Sequence, residues 1–183
     1  MEPDEAYRRV IRSYTGDVGS FYAPGTTLGL GKGLLMREAI FAQFDDDTGL
    51  YRTAQGAAYV LTHECDVDEE NDRVFNADIL VCPLIPLEAV VDALREDLNA
   101  DQLVSFCANL GARNISRLVY LPPFDGCQFG GVMALNQITN ATTDALRDRA
   151  AVICAVTAHG LAQIEYALEN HLLRPKADRL ALS

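Results

Sequence analysis

The sequence predicts one α+β domain built around a small antiparallel β-barrel, on three observations. Short β-prone runs bounded by glycine, asparagine and aspartate recur through residues 16–86 and 115–156. Apolar residues at helical spacing are concentrated in residues 1–15, 87–114 and 157–174, flanking or interrupting the strands. With 183 residues, 49% of them hydrophobic, the chain is long and apolar enough for one core, and no repeat, low-complexity tract or linker divides residues 1–183.

The elements follow in order. Residues 3–14 place Ala6, Val10 and Ile11 on one side with arginines between them, an amphipathic helix. Gly16, Gly19, Gly25, Gly29, Gly31 and Gly33 then punctuate a segment with a mobile glycine-rich loop near 24–34. Residues 37–44 and 50–53 flank Asp45-Asp46-Asp47-Thr48-Gly49, whose polar residues ending in glycine connect a hairpin. Residues 58–65 and 77–84 read as a third and a fourth strand at the centre of the sheet, separated by the charged stretch 66–73.

Pro86 opens a helix carrying Leu87, Val90, Val91, Leu94 and Leu98 at helical spacing. A second helix spans 100–110 and closes at Gly111, where positive φ is cheap. Strands resume at 116–121 and 131–138, followed by a short helix near 143–148 and a strand at 151–156. Thr157 is placed to cap a last helix whose stripe of Leu161, Ile164, Leu168 and Leu172 must pack on the barrel.

A formal charge of −11 repels phosphate backbones and argues against broad nucleic-acid binding, though it leaves room for a local basic patch. The opening residues Met1-Glu2-Pro3-Asp4-Glu5 do not read as a secretory signal, and no apolar run approaches ~20 residues, so a cytoplasmic protein away from membranes is expected. Five widely spaced cysteines without a C-x-x-C pair suggest buried, reduced thiols. No cofactor or metal is expected.

Chemistry-bearing residues are densest at His63-Glu64-Cys65-Asp66. On a strand, His63 and Cys65 would share one face and Glu64 and Asp66 the other. The first pair suits an activated thiolate or a metal site that Cys82 would complete. The structural alternative, which is favoured, makes Cys65 a core thiol and Asp66 the cap of the next turn. The acidic run from Asp66 begins like a calcium loop but has Asn71 where glycine is needed and Ala77 where glutamate is needed, so a solvated turn is expected. Gly29-Leu30-Gly31-Lys32-Gly33 lacks phosphate-loop spacing and reads as a barrel loop. His159 and His171 fall on different sides of the last helix.

Read together, Gly16-Asp17-Val18, Tyr59-Val60-Leu61-Thr62, Val81-Cys82-Pro83-Leu84 and 132–139 (VMALNQIT), with Ala145-Leu146 and the closing helix, resemble the PemK/MazF family of small bacterial barrels. The likeness covers residues 16–22, 56–86 and 117–173. It implies an SH3-like barrel with a C-terminal helix, often a homodimer, and in active members a metal-independent endoribonuclease paired with an antitoxin. The sequence departs from the active pattern, with Ala57-Ala58 where active members carry an arginine and Ile85-Pro86 where they carry serine or threonine.

RNA cleavage needs proton donors and acceptors and positive charge at the phosphate, and none of these four residues supplies them. The expectation is a divergent member of a toxin–antitoxin or defence system that binds a protein or nucleic-acid partner, such as an antitoxin-like protein or single-stranded RNA. The alternatives are an endoribonuclease with a rebuilt site near Arg52, Thr62 and His63, with Cys65 and Asp66 alongside, and a non-catalytic subunit of a larger assembly. Lys32 and Arg37 are the basic residues placed to meet a ligand, since a comparable loop in the family lies over its binding groove.

Overall fold

The computed structural model describes residues 3–14, 18–23, 29–67 and 78–172. Eight strands, β1 (Tyr22–Ala23), β2 (Leu34–Asp45), β3 (Leu50–Val60), β4 (Asp78–Pro86), β5 (Leu118–Leu121), β6 (Gly131–Ala134), β7 (Thr139–Thr142) and β8 (Ala151–Val156), form one antiparallel sheet. Its order is β1-β8-β2-β3-β4-β6-β5, and β7 pairs with β4 off that path. The helices are α1 (Pro3–Ser13), α2 (Glu64–Val67), α3 (Leu87–Leu94), α4 (Ala100–Gly111), α5 (Thr143–Arg149) and α6 (Ala158–Leu172). None among the described residues is long and apolar enough to cross a membrane.

The expected hairpin forms, with Asp45 paired to Leu50. Asp45 Oδ1 accepts from the amides of Asp47 (3.1 Å) and Thr48 (3.2 Å), and Gly49 turns the chain at φ 68°. A register shift between Met36 and Ala39 lets β2 change direction, with Glu38 at φ 59°.

Alternation along the strands feeds two cores. Ala58 and Val60 of β3 and Ile79 and Val81 of β4 enter a smaller core with Leu34, Met36, Phe41, Ala141, Ala155 and Leu146 of α5. Tyr59, Cys82 and Leu84 face the other way, into a larger core covered by α1, α3, α4 and α6. Around the smaller core β8, β2, β3, β4 and β7 are hydrogen-bonded in that order. Thr139 Oγ1 of β7 donates to the Ala42 carbonyl of β2 at 2.7 Å, so the last of these strands comes back beside β2. The stretches around Tyr59, Val81 and Leu135 are neighbours: Val60 pairs with Val81, and the Cys82 thiol reaches the Ala134 carbonyl at 3.5 Å.

Helix ends are satisfied locally. Asn99 and Gln102 at the start of α4 exchange side-chain-to-backbone hydrogen bonds at 3.0 Å in both directions. Thr157 caps α6 as expected, accepting from the Gly160 amide at 3.2 Å while its hydroxyl donates to the Ser20 carbonyl at 2.5 Å.

Several expectations need correction. β3 is continuous from Leu50 to Val60, so the hairpin's second strand and the third strand are one element, and residues 61–65 are not strand. The strand expected over 131–138 stops at Ala134, where Leu135–Gln137 form a 3-10 turn, and β7 follows as a separate strand. Pro86 is the last residue of β4 and precedes α3, which ends at Leu94 and excludes Leu98.

Helix α4 does end at Gly111, but the positive φ, 60°, is taken by Arg113 and not by the glycine. What Gly111 supplies is clearance: a Cβ there would stand 2.3 Å from the Val10 carbonyl oxygen of α1. From segment 87–114, Leu87, Val91, Leu103, Cys107 and Leu110 pack into the larger core. The end of the glycine-rich loop is pinned, since the Gly33 amide donates to Val60 O (3.1 Å) and its carbonyl accepts from Val156 N (2.8 Å). The reading of 24–28, Gly16-Asp17, most of the acidic run after Val67, and 173–174 lies outside the described residues.

Candidate functional site

Two regions singled out in the sequence meet in space. Gly31 packs against Glu64 so closely that a Cβ on it would lie 2.7 Å from the Glu64 Cβ. This contact brings the loop carrying Lys32 beside His63 and α2. Between them opens a cavity of about 340 Å³ with an apolar floor of Leu34, Ala155, Val156 and Leu161 and a polar rim of Lys32, His63, Glu64 and Glu165.

The rim is largely engaged with itself. Lys32 Nζ meets Glu165 Oε1 at 2.5 Å. His63 lies just before α2 and caps it, its Nδ1 accepting from the Cys65 amide at 3.3 Å, while Nε2 faces Glu64 Oε1 at 3.6 Å. With Nδ1 used as an acceptor, the neutral ring carries its proton on Nε2. That nitrogen is the one beside the Glu64 carboxylate. The rim holds one lysine against two carboxylates, so with His63 neutral its formal charge is negative.

The other candidates do not converge here. Thr62 Oγ1 accepts from the Leu80 amide at 2.8 Å, extending the β3–β4 ladder past the end of β3, a structural role. Arg52 sits on the hairpin, 3.7 Å from Asp45 Oδ2. The turn amides and Arg52 together hold the Asp45 carboxyl below its usual range. Arg37 lies 3.3 Å from Asp125 Oδ2, at the bulge of β2.

Cys65 is exposed, where a core thiol was expected, and Asp66 donates its amide to the His63 carbonyl at 3.0 Å within α2. The strand alternation that would have paired His63 with Cys65 gives way to this helical turn. Cys82 is buried in the larger core, where desolvation pushes its thiol up to about 12, and it does not join His63. Among the described residues no three histidine, cysteine or acidic side chains are arranged to hold a metal ion.

At the positions that depart from the family pattern, Ala58 is buried in the smaller core and Ile85 and Pro86 pair with Val132 and Gly131 of β6. None of them bears a group that moves protons. Sequence reasoning missed Glu165. The signal was its position four residues after Leu161, one helical turn along the stripe that packs against the larger core. No family model, curated protein or solved structure matches the chain.

Proposed function

We propose that this chain is a divergent barrel of the PemK/MazF kind, from a prokaryotic toxin–antitoxin or defence setting, that acts by binding a partner and does not cut RNA. The observation that carries the reading is the strand order β8-β2-β3-β4-β7, with short α5 between β7 and β8 in the chain and α6 after β8. An SH3-like barrel arranges its five strands in this way, the last returning to pair with the first. The sequence stretches that resemble the family fall on β3, β4, β6 to β7 and α6, in the family's order.

Binding without cleavage is supported by the apolar residues at the family's catalytic positions and by the negative cavity rim. One observation favours the alternative, an endoribonuclease with a rebuilt site: Lys32 and His63 share a cavity. Incubation of excess purified protein with mixed single-stranded RNA, with and without a divalent metal, decides between them. Intact RNA is expected, and cleavage that His63→Ala abolishes would overturn the binding reading.

A further inference from the structure

β3 carries an open edge. Residues 50–56 pair with β2 on one side, whereas only Ala58, Tyr59 and Val60 pair with β4 on the other, and Ala57 falls at the register shift. Among the described residues no strand lies beside the outer edge of 50–57. Such an edge presents a row of backbone donors and acceptors, which proteins commonly blunt with lysine or proline. The run Leu50-Tyr51-Arg52-Thr53-Ala54-Gln55-Gly56-Ala57 contains neither.

The surroundings have a distinct chemistry. Leu50 and Tyr51 are 67% and 73% exposed, and Phe44, directly opposite Tyr51 in the ladder, is 49% exposed. The two rings meet edge-on with centroids 5.4 Å apart. Beside them a cleft of about 230 Å³ is bounded by Asp46, Pro83, Asn136 and Gln137. Asp46 and Asp47 project from the turn into solvent, while Arg52, the one cation in residues 44–57, is taken by Asp45.

We propose that this edge receives an extended, basic segment of a partner protein as an added strand. The segment's main chain hydrogen-bonds to β3. Alternate side chains enter the cleft over Phe44 and Tyr51, and lysine or arginine side chains face Asp46 and Asp47 or stack on the exposed rings. A second copy of this chain fits poorly, because joining two such edges brings together two acidic turns on chains of charge −11. The same acids repel a nucleic-acid backbone. The inference rests on the binding reading above, but the two fail separately, since RNA cleavage would end that reading without involving this edge.

The test uses three labelled, acetylated peptides of about ten residues: alternating lysine and valine, alternating glutamate and valine, and the lysine peptide N-methylated at alternate amides so that it cannot extend a sheet. Binding is followed by fluorescence anisotropy at about 100 mM salt, and its location by amide hydrogen exchange. The lysine peptide is expected to saturate and to protect amides within residues 50–57. The other two peptides, and the lysine peptide against an Asp46→Lys/Asp47→Lys variant, are each expected to bind at least about tenfold more weakly. Equal binding of the methylated peptide, protection elsewhere, no saturable binding, or self-association of the chain through β3 would each overturn the proposal.

Discussion

The hydroxyl of Tyr22 donates to the carbonyl of Pro122 at 2.7 Å, and so ties β1, at one end of the strand path, to the chain just leaving β5 at the other. The Tyr22 ring also meets Phe124 edge-on at 6.0 Å. The sheet is therefore curled until its two outermost strands communicate through a side chain, although no ladder joins them among the described residues. Tyr22→Phe removes the donor and leaves a partly buried carbonyl short of a partner. A loss of about 1 kcal/mol is expected, seen in urea unfolding as a lower midpoint with an unchanged slope. An unchanged midpoint would mean that the tie does not hold the curl.

Alkaline stability follows from burial. Desolvation raises the Cys82 thiol to about 12 and the Cys107 thiol to about 11, and pushes the phenols of Tyr22, Tyr59 and Tyr120 well above their ordinary range. In the unfolded chain thiols ionise near ~8.5 and phenols near ~10. Groups raised on folding hold their protons more tightly in the native state, so their contribution is complete below those unfolded-state values and is lost progressively as pH rises from them through the raised native ones. Chemical-denaturation midpoints measured from about pH 7 to 11 should begin to fall near pH 9 and fall more steeply above pH 10. A flat profile to pH 11 would contradict the burial of these groups.

Gly111→Ala tests the crossing of α1 and α4. The added methyl meets the Val10 carbonyl and the Ser13 backbone rather than the end of a flexible side chain, so α1 has to move. Destabilisation of about 1–3 kcal/mol is expected, despite the higher helix propensity of alanine. A gain in thermal midpoint would show that α1 is free to shift.

At the cavity rim, Lys32 and Glu165 are only partly shielded, with side chains 27% and 47% exposed. A double-mutant cycle through Lys32→Ala and Glu165→Ala should give a coupling below about 1 kcal/mol, because solvent screens such pairs. Ile164, one residue away and buried, should cost about 2–5 kcal/mol as Ile164→Ala. If the rim pair costs as much as the core residue, it is part of the fold and not a surface left free for a ligand.

Much of this architecture was legible because it is written locally. The hairpin around residues 45–49 is fixed by an aspartate that binds its own turn and a glycine at positive φ, both visible in the sequence. The Thr157 cap and the stripe of α6 are equally local. What was misread depends on partners remote in the chain. Leu61 and Thr62 look like strand residues and do bond to Leu80, but His63 then caps α2 and turns the chain.

β7, with the run Thr139-Asn140-Ala141-Thr142, mixes strand-favouring threonines with asparagine and alanine, and it joins the sheet by pairing with β4. The site was half visible. Lys32 and His63 were singled out separately, but their meeting depends on the fit of Gly31 against Glu64, and Glu165 comes from a helix more than a hundred residues later.

β4 gives consecutive residues to different interiors, Val81 to one and Cys82 to the other, and continues from a partnership with β7 into one with β6. Whatever loosens one interior thus tilts the strand that walls the other, and neither half of the molecule can melt while its neighbour keeps its packing. The two hydrophobic interiors share one wall, and with it a single cooperative fate.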